Sequence, residues 1–210
     1  KTDWVQDSGH IAALAGGGFV VAWNDYSAHL GGTTDDPFEP AVRAQLFNDD
    51  GTRKGGEFMV NTTIFDGQWI EGLTALADGG FVINWEDNSR LVGDTNGGSV
   101  RAQVLNADGS KRGSEILANT ATPFDQDLAR SVALDTGGFV SVWRDNSHIG
   151  GDLSGRAIKA QVFTAAGAKS GGEILVNTAT ASDQDYFDAV SVGNGRFAVV
   201  WTDWSQGVGG

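Results

Sequence analysis

Along the chain, apolar and polar positions alternate in short segments that are separated by turn residues. Val42-Arg43-Ala44-Gln45-Leu46, Val100-Arg101-Ala102-Gln103-Val104 and Ile158-Lys159-Ala160-Gln161-Val162 alternate strictly, which sets one face on a core and the other toward water. A second kind of segment runs from Glu57 to Asn61 and in its copies, a short apolar stretch between polar ends. A third, such as Leu128 to Leu134, alternates in part, and a fourth, Phe81 to Trp85, is nearly continuously apolar and reads as a strand buried on both faces. Asn48-Asp49-Asp50-Gly51, Asn106-Ala107-Asp108-Gly109, Ala77-Asp78-Gly79-Gly80 and Asp135-Thr136-Gly137-Gly138 supply the hairpin turns between them. No helical period persists over a useful length.

These segments recur. Gly79-Gly80-Phe81-Val82-Ile83-Asn84-Trp85 returns at Gly137 to Trp143 and at Gly195 to Trp201, each step being 58 residues, and an earlier copy at Gly17 to Trp23 lies 62 residues upstream. The same 58-residue offset links Gln45, Gln103 and Gln161, then Glu57, Glu115 and Glu173, then Asn61, Asn119 and Asn177. The four extra residues fall between Trp23 and Gln45, so that interval is a loop. Counted from Trp to Trp, the 210 residues form one repeat domain: a half unit 1–23, full units 24–85, 86–143 and 144–201, and a tail 202–210. Four antiparallel strands per unit, repeated radially, describe an all-β, β-propeller-like array of four-stranded blades, three full repeats plus a half. A β-solenoid is the rival. Three and a half units leave a sheet edge to be completed by a short blade built from the two N-terminal strands, by a second chain, or by residues of a larger parent chain.

Composition narrows the function. A 40 % apolar content supports a folded core, and 31 Gly without a period of three fits turns rather than collagen. A formal net charge of −13 repels phosphate backbones and anionic lipid, so no nucleic acid is expected as a partner and membrane surfaces are disfavoured, while cations and neutral ligands remain. No apolar run is long enough for membrane insertion as a spanning helix, and Lys1-Thr2-Asp3-Trp4 does not read as the start of a signal peptide, so a processed product or an excised piece is expected. The absence of Cys removes disulfides, thiolate nucleophiles and Cys-bound zinc.

Internal copies separate scaffold from chemistry, because a residue the blade needs recurs in every unit. Trp23, Trp85, Trp143 and Trp201 recur and read as packing residues. Trp4, Trp69 and Trp204 do not, which makes the latter two candidates for stacking on a sugar or capping a blade edge. Asp25, Asp87, Asp145 and Asp203 stand two residues after the repeated Trp, each followed two later by Ser; Asp94 and Asp152 lie seven further on, with Asp35 and Asp36 in the longer first loop. Such carboxylates either hold Ca2+ with backbone carbonyls or close Asx turns, and both readings stay open. Asp125-Gln126-Asp127 and Asp183-Gln184-Asp185 align with Gly67-Gln68-Trp69 and Val5-Gln6-Asp7. Their amide and carboxylate groups suit sugar hydroxyls, and the Gln present in every copy also suits a bond between blades. His10, His29 and His148 occupy unrelated positions, and no asymmetry singles out one catalytic centre.

The motifs Gly-Gly-Phe-Val-x-x-Trp-x-Asp-x-Ser, Arg-Ala-Gln-Val-x-Asn-Ala-Asp-Gly, Ser-Glu-Ile-Leu-Ala-Asn-Thr and Asp-Gln-Asp, clearest between Gly79 and Asp127, resemble the tandem repeats of large secreted bacterial proteins of the RTX and adhesin type. That resemblance implies an extracellular or cell-surface bacterial location, calcium dependence and attachment to carbohydrate or surfaces. The Gly-Gly-x-Gly-x-Asp nonapeptide of a strict RTX β-roll is absent. A weaker likeness is to propeller lectins. The expectation that follows is a non-catalytic, lectin-like or adhesin-like module that binds a glycan or cell-surface partner through Trp69, Trp204, Asp125, Asp127, Asp183 and Asp185, with Ca2+ held by Asp25, Asp87, Asp94, Asp145, Asp152 and Asp203. A structural assembly module, homo-oligomeric or completed by another chain, is the first alternative, and a polysaccharide-active enzyme fragment the second.

Overall fold

The structure is a computed structural model and describes residues 5–27, 40–91 and 93–206. Trp4, His29, Asp35 and Asp36 lie outside the described residues. Within them fourteen strands form four antiparallel sheets, each a meander in which every strand pairs with the next. The first holds β1 (Gln6–Ala13), β2 (Phe19–Asp25), β3 (Ala41–Phe47) and β4 (Arg53–Met59). The second holds β5 (Gln68–Ala75), β6 (Phe81–Asp87), β7 (Ser99–Leu105) and β8 (Lys111–Leu117), and the third β9 (Gln126–Ala133), β10 (Phe139–Asp145), β11 (Ala157–Phe163) and β12 (Lys169–Leu175). β13 (Gln184–Gly193) and β14 (Arg196–Asp203) make a two-stranded sheet. The sheets are therefore offset by half a repeat from units counted Trp to Trp, and the incomplete sheet stands at the C-terminal end, not the N-terminal one.

Strand order follows from the hydrophobic pattern. The two apolar strands of each unit, such as β6 and β7, are central and almost wholly buried, while the polar β4, β8 and β12 are edges. Consecutive sheets stack face to face. Val20, Ala22, Val42 and Ala44 of the first sheet meet Phe81, Ile83 and Trp85 of the second, and the same layer recurs between second and third sheets with Phe139 and Trp143. Trp85 and Trp143 are fully buried, as their repetition predicts, whereas Trp23 and Trp201 are half-buried because one stacking partner is missing on each side. Gly138 shows why its turn tolerates no side chain: φ is +80°, and a Cβ there would collide with the carbonyl of Phe163.

Repeated polar residues fasten one sheet to the next. Asn61, Asn119 and Asn177 donate through Nδ2 to Oε1 of Gln68, Gln126 and Gln184 at 3.0, 2.9 and 3.0 Å, all among buried atoms. Each Asn follows the last strand of one sheet and each Gln opens the next, so the invariant Gln is an inter-sheet tie. Glu115 adds another, accepting from the backbone N–H and hydroxyl of both Thr62 and Thr63. The result is a propeller-like stack whose first strands, β1, β5, β9 and β13, pack successively on one another.

Candidate active site

All four innermost strands are interrupted at the same level. Register shifts fall between Asp7 and His10, between Ile70 and Gly72, opposite Val142 to Arg144, and between Asp185 and Asp188. In three of these bulges a non-Gly residue takes the left-handed region: Ser8, Leu128 and Tyr186, with φ of 52°, 56° and 48°. Strain of this kind costs on the order of 1–3 kcal/mol per residue and concentrates where side chains must be re-aimed.

The bulges surround a cavity of about 720 Å³, lined by Ser8, Gly9, His10, Asn24, Trp69, Ile70, Glu71, Glu86, Leu128, Arg130, Tyr186 and Phe187. Bulged backbone has lost ladder partners, and side chains replace them. Ile70 N–H donates to Oδ1 of Asn24 at 2.7 Å. The freed N–H groups of Leu128 and Ala129 both donate to the Glu71 carboxyl, the latter at 2.6 Å.

Two carboxyl groups on this wall have abnormal proton affinity. Glu86, half-buried, is pushed up to about 7, first by desolvation and then by the charges of Asp127 and Asp125, against a hydrogen bond from Asn88 and the charge of Arg144. Glu71 is held well above the ordinary carboxylate range by desolvation; the Ala129 and Leu128 N–H groups oppose the shift, and Glu86 and Asp127 reinforce it. Gly98 makes room for this arrangement, since a Cβ there would come within 2.7 Å of Glu86 Oε1. His10 is shifted down, by burial first and by Arg130 second, and so is disposed to be neutral at pH 7. Beside the acids runs a network of ion pairs. Arg144 grips Asp127 with two bonds of 2.7 and 2.6 Å and reaches Asp185 at 3.2 Å, and Arg156 also bonds Asp185.

The residues singled out in the sequence are dispersed. Trp69 lines the cavity. Asp127 and Asp125 act on Glu86 through their charge, and Asp185 adjoins Tyr186, whose N–H it accepts at 3.0 Å. Asp183 lies instead in a smaller cavity of about 270 Å³ with Phe124, His148 and Arg156. Trp204, 54 % exposed, donates its backbone N–H to the Asp183 carbonyl and does not line the larger cavity.

The candidate metal carboxylates are each engaged by neighbouring side chains, and two of them, Asp87 and Asp94, are near enough that the charge of Asp87 acts on Asp94 along with that of Arg101. Asp25, Asp87 and Asp145 accept from Ser27, Ser89 and Ser147 and pair with Arg43, Arg101 and Lys159 at 2.8, 3.0 and 2.7 Å. Asp94 and Asp152 accept from Asn119 and Asn177 at 2.9 and 2.7 Å. Asp203 accepts from Ser205 N–H at 2.8 Å and from Gln184 at 3.4 Å. Among the described residues no group of three or more His, Asp or Glu side chains converges as a ligand set.

Glu71, Glu86, His10 and Arg130 were not singled out, yet the repeat itself marks them. Glu71 stands where the other copies have Gly9, Ala129 and Phe187, and Glu86 where they have Asn24, Arg144 and Thr202. His10 and Arg130 share a repeat position occupied elsewhere by Gly72 and Asp188. The asymmetry missing from the sequence reading lies in these departures.

Comparison with known proteins gives no matching family model and no matching curated protein. Among solved structures, the chain is similar to an alpha-L-arabinanase of Penicillium chrysogenum complexed with arabinobiose, with a TM-score of 0.53, 13 % identity, and coverage of 93 % of this chain and 61 % of that one. An endo-arabinase of Bacteroides thetaiotaomicron also aligns, with a TM-score of 0.47, 14 % identity, and coverage of 96 % and 70 %. A third is from the mannoside phosphorylase family that contains glycoside hydrolases targeting beta-1,2 mannosidic linkages in Candida mannan; its TM-score is 0.36, with 10 % identity and 96 % and 66 % coverage. The chain thus spans 61 % of the length of the Penicillium arabinanase, and at this identity the likeness concerns the fold. The Penicillium structure is that of an enzyme, an arabinanase, and the expectation of a non-catalytic binding module does not stand. Its physical premise, that all copies are equivalent, fails at the cavity, where two carboxyl groups break the repeat.

Proposed function

We propose that the chain is the substrate-processing part of a carbohydrate-active enzyme that hydrolyses glycosidic bonds in a polysaccharide, with the cavity between β1, β5, β9 and β13 as its active site. The observation that carries this reading is the placement of Glu86, titrating near 7, on the wall of a 720 Å³ cavity together with Glu71, Trp69 and Tyr186. Glycoside hydrolysis needs one carboxyl that still holds a proton and another that can take one. Ordinary carboxyls are both ionised at neutral pH. Here burial, the charge of Asp127 on both groups and that of Glu86 on Glu71 keep a proton in the Glu71–Glu86 pair, so the two groups together retain what the reaction must donate.

In this scheme the member of the Glu71–Glu86 pair that holds the proton passes it to the departing glycosidic oxygen as the bond from the anomeric carbon breaks. A water molecule adds to that carbon, and its proton passes to the ionised member of the pair. Trp69 and Tyr186 offer ring faces for sugar stacking, while Arg130, His10 and Asn24 offer polar atoms for hydroxyl groups. The solved structure bound to arabinobiose makes an arabinan-type polysaccharide the first substrate to test.

The experiment is release of reducing sugar from arabinan, and from a panel of other plant and fungal polysaccharides, by the wild type, Glu86→Gln and Glu71→Gln. Loss of a general acid lowers turnover roughly 10²- to 10⁴-fold. The expected result is activity on at least one polysaccharide that falls by that factor in Glu86→Gln while the circular dichroism spectrum is kept. Activity equal in Glu86→Gln and wild type would remove Glu86 from the chemistry, and no release from any polysaccharide would refute the reading for this chain.

A further inference from the structure

The smaller cavity, of about 270 Å³, is lined by Phe124, Asn146, His148, Gly155, Arg156 and Asp183. Like the larger one, it is built from departures from the repeat. Phe124 stands where the other copies have Trp4, Asp66 and Ser182, His148 where they have Ala28, Arg90 and Gln206, and Arg156 where they have Pro40 and Gly98. The backbone at these turns belongs to the scaffold, with φ of 60°, 60° and 65° at Asp66, Phe124 and Ser182 and of 53°, 55° and 49° at Arg90, His148 and Gln206. A bulky aromatic is a poor residue for the left-handed region. The turn itself needs none, since Asp66 and Ser182 hold the same conformation, and Phe124 does not offset its strain by burial, being 58 % exposed.

Three loops are tied together to fix these side chains. Asn146 donates its backbone N–H to the Asp125 carbonyl at 3.0 Å, Arg156 donates its own to Asp183 Oδ1 at 3.1 Å, and the Gln184 N–H returns to the Arg156 carbonyl at 2.8 Å. The Gln126 side-chain amide donates to the Phe124 carbonyl at 3.2 Å. Within that frame the Phe124 and His148 rings lie 5.9 Å apart, tilted by 38° and not stacked flat. The Arg156 guanidinium sits 3.8 Å from Asp183 and also pairs with Asp185, so its charge is met and no excess positive charge remains to select an anion. An exposed ring beside fixed donors and acceptors suits a neutral sugar, whose C–H face packs on the ring while its hydroxyls reach the polar groups.

The two cavities are neighbours. Phe124 precedes the bulge at Leu128 and Asp183 precedes the bulge at Tyr186, so the leading ends of β9 and β13 serve both. Asp185 joins them, accepting from Arg156 on one side and from the Tyr186 N–H at 3.0 Å on the other. We propose that the smaller cavity is an outlying subsite that binds a neutral sugar unit of the same polysaccharide chain whose glycosidic bond is cleaved in the larger cavity. The proposal rests on the catalytic reading of the larger cavity and adds to it a preference for long chains over short ones.

Phe124→Ser and His148→Gln install the residues that positions 182 and 206 carry, side chains the repeat already accommodates at these turns. Both are compared with the wild type and with Phe124→Trp on arabinan, or on whichever polysaccharide of the panel is cleaved, and on its shortest cleaved oligosaccharide. Loss of one stacking contact should raise KM for the polysaccharide about three- to tenfold relative to KM for the oligosaccharide, the effect falling on KM rather than on kcat. Phe124→Trp should keep the wild-type ratio. Binding is read without turnover in Glu86→Gln, by retardation in gels containing each polysaccharide, and adding Phe124→Ser should weaken it. An unchanged KM ratio in Phe124→Ser, or retardation that Phe124→Ser leaves as it was, would overturn the subsite while Glu86-dependent release still upholds the catalytic reading. Failure of the catalytic reading looks different: no polysaccharide is cleaved, and the gels alone then decide whether Phe124 holds a sugar.

Discussion

Lys159→Met is the most direct probe of how this fold treats its charges. Lys159 is 2 % exposed and donates to Asp145 at 2.7 Å, to Glu173 at 3.0 Å and to Ser147 at 3.4 Å. Burial alone would lower its proton affinity, but the hydrogen bonds and charges of Asp145 and Glu173 reverse the sign and raise it. Methionine keeps the volume and removes the charge, leaving the 1 % exposed Asp145 side chain and the 14 % exposed Glu173 side chain without their cation. Breaking a buried pair from one side costs about 3–5 kcal/mol, because the remaining charge keeps its desolvation penalty. For a domain with a stability of roughly 5–15 kcal/mol that is a large share. At this chain length it corresponds to a fall in Tm of about 6–20 °C. Lys159→Arg, which installs the residue that stands at the equivalent positions 43 and 101, should cost less than about 1 kcal/mol. Urea denaturation at constant slope measures both. If Lys159→Met unfolds within 1 kcal/mol of wild type, or if Lys159→Arg is the worse of the two, the buried ion pairs are not what holds the second and third strands of each sheet together.

Three further outcomes are expected. Glu86 binds its proton more tightly in the fold than in the unfolded chain, so its contribution to stability is complete below pH 4.5 and is lost as the pH rises toward 7; chemical denaturation should show a decline of roughly 2–3 kcal/mol across that interval that is absent in Glu86→Gln. Gly98→Ala sets a methyl group against the flexible end of Glu86, 2.7 Å away, and should lower polysaccharide turnover about tenfold while moving Tm by only a few degrees, as paired kinetic and thermal assays would reveal. Because Asp25, Asp87 and Asp145 are already paired with cations of the chain, a chelator should leave the melting curve unchanged; a fall in Tm on chelation would show that a bound ion contributes.

The architecture was legible because it is repeated. A strand pattern seen once is ambiguous, but the same alternation at Val42, Val100 and Ile158, with the same Gly-bearing turns after it, fixes strand, face and order together. Gln68, Gln126 and Gln184 illustrate how far this reaches: presence in every copy suggested a tie between blades, and the Asn–Gln bond is that tie. The phase of the sheets was not legible, since a period of 58 residues says how often the pattern returns and not which four strands share hydrogen bonds. Connection geometry decides that, and it left the odd half unit at β13 and β14.

The site escaped notice for the opposite reason. Repetition reports what every blade needs, and a propeller-like stack needs no acid at its axis; chemistry there has to come from a residue that one copy has and the others lack. Glu71 against Gly9, Ala129 and Phe187 is such a departure, and so is Glu86 against Asn24, Arg144 and Thr202. Neither is remarkable as a surface Glu in a strand sequence. They become chemically distinct only when bulges at Ser8, Leu128 and Tyr186 bend the inner strands around one cavity, where burial and the charge of Asp127 act on both carboxyls. Shared positions build the blade and exceptions converge on the axis. For that reason Glu71, Glu86, His10 and Arg130 carry the catalytic reading, whereas Asp25, Asp87 and Asp145, uniform in every complete sheet, belong to the scaffold that holds them.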